Sequence, residues 1–202
     1  MPRSPVWLGA LAFATALSVA PGAFADESEC CRFSARFDAF QLVFRRVAIE
    51  AEVKIWGPFT VGLEPGWIWG GSTDLLNEQG AQLLGFFAWH FHGGPLRGFW
   101  LRAVGGFEAF DATLRHSRFE EVEVKKGVAS GIFGLTVGTS VVFGQAWGFA
   151  LSGGIGVGVA TSDKTQLVAI SPDPDVPSET ATYYDGADRV KLLGSLGLGV
   201  TF

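Results

Sequence analysis

Residues 188–202 read DRVKLLGSLGLGVTF, and taken in twos they separate into two unlike faces. Val190, Leu192, Leu196, Leu198, Val200 and Phe202 fall on one face, with Gly194 as its gap. Lys191, Leu193, Ser195, Gly197, Gly199 and Thr201 fall on the other. Successive side chains of a strand point to opposite faces of the sheet. The alternation therefore predicts a strand with one bulky apolar side and one small or polar side. The sequence stops on an aromatic residue, Phe202.

The same signature recurs upstream. Trp147, Phe149, Leu151, Ile155, Val157 and Val159 alternate with glycine, alanine and serine. Phe133, Leu135, Val137, Val141 and Phe143 do so before them. Phe99 to Ala109, Ala81 to Phe91, Phe59 to Trp69 and Val47 to Ile55 are four more such runs, although Pro65 weakens its strand as a ladder member. Phe33 to Phe44 is the least regular. Phe40, Leu42 and Phe44 share a face with Arg36 and Asp38, which predicts a first strand ending near Phe44 and turning at Arg45-Arg46. Twenty-eight glycines weigh against helices, at roughly 1 kcal/mol each relative to alanine.

Eight strands result. After the first turn the links alternate between short (57–58, 92–97, 144–146) and long (70–79, 111–126, 162–187). An even count of antiparallel strands with short turns at one end and long loops at the other is the pattern of a transmembrane β-barrel. Side-chain size decides which face looks outward. One face carries Trp, Phe, Leu, Ile and Val; the other carries glycine, small residues and a few charges. An eight-stranded barrel has little room inside, so the bulky face is expected to meet lipid. A helical alternative exists because residues 127–162 carry no charge, a length that would suit two spanning helices. Nine glycines between Val128 and Thr161, and a period of two, oppose it. The fold expected is all-β: an eight-stranded antiparallel up-and-down transmembrane barrel over residues 33–202.

The closing strand, with Leu196, Leu198, Val200 and terminal Phe202, resembles that of the small bacterial outer-membrane β-barrels, the outer-membrane protein A- and X-like barrel domains. In that family these residues form an assembly signal. The resemblance implies location in the bacterial outer membrane, contact with outer-membrane lipid and insertion by the barrel assembly machinery. Residues 1–25 fit this export route. Arg3 precedes the apolar run Val6 to Val19, Pro21-Gly22 breaks it, and Ala23-Phe24-Ala25 forms a cleavage site. Removing Arg3 with this signal peptide takes the net charge from −5 to −6, which argues against a nucleic-acid partner. Residues 26–32 form a leader holding the only cysteines, Cys30 and Cys31, whose adjacency strains any bond between them.

The inferred interior holds Glu50, Glu52, Glu64 and Glu108 against Lys54, Arg102 and Lys191. Charges withdrawn from water must be paired, so these residues are expected to form an ion-pair network filling the lumen. The resemblance implies the same, since charged clusters fill small barrels of that family. Trp56, Trp67, Trp69, Trp89, Trp100 and Trp147 cluster near strand ends, and several of them are expected to supply boundary girdles.

Some eight-stranded barrels act on lipid acyl chains. Here His116-Ser117 with Glu120 or Glu121 is the only close Ser/His/acid cluster, read as a solvated loop. It departs from the lipid A deacylase pattern, in which one residue separates histidine and serine. Neighbouring residues of a strand face opposite ways, so His116 is badly placed to activate Ser117. His90 and His92 lie two apart without an evident third metal ligand. Asp173, Asp175, Glu179, Asp185 and Asp188 lack calcium-loop order. No catalytic residue, metal or cofactor is expected. A structural or surface-interaction role through loops 111–126 and 162–187 leads; a lipid-modifying enzyme and a narrow pore are the alternatives.

Overall fold

The computed structural model describes residues 32–71, 73–92, 94–119, 121–144 and 147–202. The expected signal peptide and all of the leader but Arg32, with Cys30 and Cys31, lie outside the described residues. Ten strands follow in chain order: β1 (Phe33–Asp38), β2 (Arg46–Trp56), β3 (Phe59–Gly70), β4 (Leu76–His90), β5 (Gly98–Arg115), β6 (Glu123–Phe143), β7 (Gly148–Ala160), β8 (Thr165–Ala169), β9 (Glu179–Tyr183) and β10 (Val190–Thr201). Eight close into an antiparallel barrel in the order β1-β10-β7-β6-β5-β4-β3-β2, while β8 and β9 pair as a separate hairpin. Closure is made between the first and last strands: Phe33 N–H donates to Phe202 O at 2.8 Å, and Phe202 N–H returns to Phe33 O at 2.9 Å. The stretch with helical potential, 127–162, is occupied by most of β6 and by β7.

The faces divide by residue size. Phe133, Leu135, Ile155, Val157, Leu198 and Val200 look outward, whereas Ser130, Thr136, Ser140, Ser152 and Thr201 are buried inside. The interior is not uniformly small. Trp100, one of the six girdle candidates, is fully buried in the lumen instead, where its indole N–H donates to Ser140 Oγ at 3.0 Å. Its room comes from the facing strands: a Cβ on Gly138 or Gly154 would enter the space of the Trp100 ring. Gly62 makes room in the same way for Phe86. Glycines opposite large rings let a narrow barrel pack aromatic side chains.

Three strand limits differ from those read in the sequence. First, β1 stops at Asp38, and Phe40–Phe44 form a 3-10 helix. Asp38 Oδ1 accepts from the N–H of both Phe40 and Leu196 at 2.9 Å, which turns the chain away from the sheet. Arg45 ends the helix in the left-handed region at φ 55°. Second, β5 and β6 run through most of the expected 111–126 loop, leaving only 116–122 as the connection. Their period of two continues, but its polarity reverses. Phe110, Ala112, Leu114 and Val128 turn inward, while Asp111, Arg115, Glu123 and Lys125 turn outward. Third, the 162–187 segment contains the β8–β9 hairpin. Leu167, Ala169 and Tyr184 pack with Ile68, Leu76, Phe110, Leu114 and Val128 into a small apolar core at the loop end of the barrel. Lys164 to Asp185 (2.6 Å) brackets the hairpin. Pro65 stays within β3, paired to Leu83, but on its other side the β2–β3 ladder lacks the pairs between Ala48–Gly66 and Ala51–Leu63, with the register kept across the gap.

Candidate functional site

The buried charges of the lumen form two layers. In the lower one, Arg36 from β1 and Arg102 from β5 hold Glu50 and Glu52 from β2 between them. These positions meet because β1 pairs with β2 at Arg36–Glu50 and Ser34–Glu52, while Arg102 faces them across the barrel from β5. Arg36 Nη2 bonds both carboxylates. Arg102 Nη1 and Nη2 donate to the two oxygens of Glu50 at 3.0 and 3.1 Å, and Nη2 reaches Glu52 at 3.0 Å. Two guanidinium groups thus face two carboxylates, which keeps the layer neutral. The bidentate arm on Glu50 is the geometry in which such pairs are strongest. The Arg102 guanidinium also lies 4.0 Å from the Trp100 ring centre and 4.2 Å from that of Phe86. An arginine stacked on aromatic faces gains electrostatic attraction as well as packing.

The upper layer centres on Glu108. It forms ion pairs with Arg46 (2.8 Å) and Lys191 (3.2 Å), and it accepts from the Tyr184 hydroxyl at 3.0 Å. Glu64 joins through its amide donors, Gln41 Nε2 at 3.2 Å and Gln82 Nε2 at 3.5 Å. Arg46 Nη1 donates to Gln82 Oε1 at 2.6 Å, which ties the amides to the charges.

Six of the seven residues read from the sequence as a lumen network are therefore in these layers, split between them. Lys54 is the exception. It sits half-buried near the short-turn end and joins no ion pair among the described residues. Three charged or phenolic members, Arg36, Arg46 and Tyr184, were missed. Arg36 was assigned to an apolar face of an over-long first strand, but its parity with Ser34 carries the signal for an inward position. Arg46 was assigned to a turn. Tyr184 lies 76 residues from Glu108, and no local pattern links the two.

The histidines have other partners than those weighed. His90 is buried in the lumen, with Nε2 3.2 Å from Glu52 Oε1 and 3.3 Å from Thr60 Oγ1, and Nδ1 3.3 Å from the carbonyl of Arg97. His92 is exposed beyond the strand end, so the two do not share a site. His116 is buried, not solvated: the β8–β9 turn covers it, and Nε2 lies 3.1 Å from Pro177 O. Ser117 Oγ donates to Glu179 Oε1 at 2.7 Å. The histidine and the serine thus have separate partners. Among the described residues no group of three or more His, Cys, Asp or Glu is placed to hold a metal ion.

At the loop end, Tyr183 and Tyr184 tie the hairpin to the barrel. Tyr183 Oη donates to Glu78 Oε1 at 2.8 Å. Burial, and then the adjoining carboxylates of Glu78 and Glu108, push both phenols well above the usual tyrosine range. These are the two tyrosines of the chain, so titration reads them without background. Tyrosinate absorbance at 295 nm is expected to be absent from the folded protein at about pH 10 and to appear there once it is unfolded. The unfolded chain releases these protons first, so stability falls as pH rises above about 10. A folded-state transition centred near pH 10 would show that the hairpin is not docked.

Comparison with protein-family models, with curated proteins and with solved structures gives no match to this chain.

Proposed function

We propose that this protein is a non-enzymatic outer-membrane β-barrel, closed by its packed lumen, that presents the β8–β9 hairpin and the ends of β5 and β6 to partners outside the membrane. The observation that carries this is the height of the outward apolar band. On β5 it runs from Phe99 to Ala109, eleven residues, before Asp111 and Arg115 replace it. At about 3.3 Å per residue that is about 33 Å of strand, or about 25 Å at a tilt of about 40°. A bacterial outer-membrane hydrocarbon layer needs a band of about that height.

Both rims support it. Above the band, exposed ion pairs cross between β5 and β6, Lys125–Asp111 at 3.2 Å and Arg115–Glu123 at 3.1 Å. Below it, outward rings form contacts around the short-turn end: Trp56–Phe59, Trp89–Phe91, Phe91–Phe99, Phe143–Phe149 and Phe33–Phe202. Indoles and aromatic rings favour the boundary between lipid and water. Closure leaves no sheet edge along most of the wall, as hydrocarbon requires. On this reading residues 1–25 are a signal peptide, Phe202 with Val200, Leu198 and Leu196 guides assembly, and the surroundings are outer-membrane lipid.

Ion-pair layers that fill the cross-section support a plug over a pore. Planar-bilayer recordings of the inserted protein are expected to show no steady ohmic conductance. A stable open level would contradict the plug and favour the pore. Mass spectrometry of lipid A from cells with and without the gene is expected to show no difference. Loss of an acyl chain only when the protein is present would favour the enzyme.

A further inference from the structure

The barrel wall is thin at one place. β1 pairs with β10 only where Ser34–Asp38 lie opposite Gly197–Thr201, whereas β7 accompanies β10 up to Val190. Residues 190–196 of β10 therefore lack a strand neighbour on the β1 side. The 3-10 helix Phe40–Phe44 is laid into this interval and touches both β10 and β2. At its lower end the backbone is satisfied: Leu196 N–H donates to Asp38, and Leu196 O accepts from Ala39 N–H at 2.9 Å. By the alternation of an antiparallel ladder, the N–H and C=O of Leu192 and Gly194 face the same way. There they meet the helix rather than a strand. The Phe40 ring lies where a side chain on Gly194 would stand. The helix turns Leu42, Val43 and Phe44 outward, exposed by 46%, 69% and 44%.

Behind it is a cavity of about 180 Å³. Phe40, Phe44, Leu84, Phe86, Ile132 and Leu193 supply its apolar lining. Among its polar lining groups, Gln41, Arg46, Glu64 and Gln82 are hydrogen-bonded to one another, and Arg102 and Lys191 are held by Glu50 and Glu108, so these need no ligand to satisfy them. The interval lies within the outward apolar band, because Leu192 and Leu193 pair with Val157 and Gly156, below the end of that band at Val159. A single shell of short helix thus separates a cavity of mainly apolar lining, with paired charges at its walls, from the level of lipid chains.

We propose that this cavity binds one alkyl chain of a membrane amphiphile, which enters sideways between β2 and β10 past the Phe40–Phe44 helix while its head stays outside. The proposal rests on the membrane reading above. At about 30 Å³ per water-sized group, the volume holds about six such groups, and an apolar cavity of about 150 Å³ takes up benzene. A chain of about six carbons is the matching size.

The test uses the full mature chain in lipid nanodiscs, labelled with ¹³C at methyl groups, and 1-hexanol as the probe. Saturable shifts are expected at the inward methyls of Leu84, Ile132 and Leu193. Val104→Trp, which puts an indole into the lining, is expected to weaken them at least tenfold. Phe40→Ala opens the cavity at the helix, and longer alcohols such as 1-nonanol should then saturate the same methyls. Non-saturating shifts confined to the outward methyls of Leu135 and Val157 would overturn the proposal, as would a chain-length limit unmoved by Phe40→Ala. Failure of the chain to insert would overturn the membrane reading and the proposal together; insertion without response at the inward methyls would overturn the proposal alone.

Discussion

Replacing Arg102 with methionine is expected to destabilise the folded barrel by about 3–5 kcal/mol, the cost of stranding a buried charge. The wild-type layer is neutral, with Arg36 and Arg102 against Glu50 and Glu52. Without Arg102, Arg36 alone faces two carboxylates, all three nearly inaccessible. Methionine fills similar space between Trp100 and Phe86, so packing loss is a smaller part of the effect. The three lost bonds at 3.0–3.1 Å leave Glu50 Oε2 without its donor, while Glu50 Oε1 and Glu52 Oε2 keep only Arg36. Urea unfolding of the protein refolded into vesicles measures the change. Charge, not shape, is the cause, so Glu50→Gln combined with Arg102→Met is expected to recover more than half of it. If the double variant is as unstable as the sum of the two single ones, the residues do not share a layer. An unaltered midpoint for Arg102→Met would place Arg102 outside the lumen altogether.

Gly154→Leu is the second large effect, at about 3 kcal/mol, near the upper end for overpacking a filled core. A Cβ at Gly154 already meets the Trp100 ring, and the ring is pinned from its other side by Arg102 at 4.0 Å and by its bond to Ser140. It cannot move aside without breaking one of these. Trp100→Ala alone leaves a cavity worth about 3–5 kcal/mol. The two changes together are expected to cost clearly less than either sum, because the leucine fills part of the space the indole vacates. Additive costs would mean that Gly154 and Trp100 are not in contact.

The period-two pattern made most of the architecture legible, because an outward bulky face and an inward small face differ in residue size at nearly every position of β7 and β10. Strand ends were less legible, for a physical reason. Past Phe110 the outward positions switch from apolar to charged while the strand itself continues to Arg115. On the membrane reading the surroundings change there, and a charged run read as a loop is a strand standing in water. The break after Asp38 depends on one carboxylate that caps the N–H groups of Phe40 and Leu196, a contact across 158 residues. The lumen charges were found wherever they fell on the polar alternate of a clear strand: Glu50, Glu52, Glu64, Arg102, Glu108 and Lys191. Arg46 and Tyr184 were missed because their roles come from barrel closure and hairpin docking, which no local window encodes. Trp100 was misplaced by its residue type, although its parity with Arg102 already pointed inward.

Brominated lipid quenching of two single-tryptophan variants tests the sidedness of the barrel most directly. One retains Trp89 and the other Trp100, with the remaining indoles replaced by phenylalanine. Both are native residues on adjacent strands, paired near the same height through Trp89–Leu101 and His90–Trp100. In vesicles whose acyl chains carry bromine, Trp89 emission is expected to be quenched several-fold more than Trp100 emission. Equal quenching of both, or stronger quenching of Trp100, would contradict a barrel that turns its bulky face to lipid and encloses its charges.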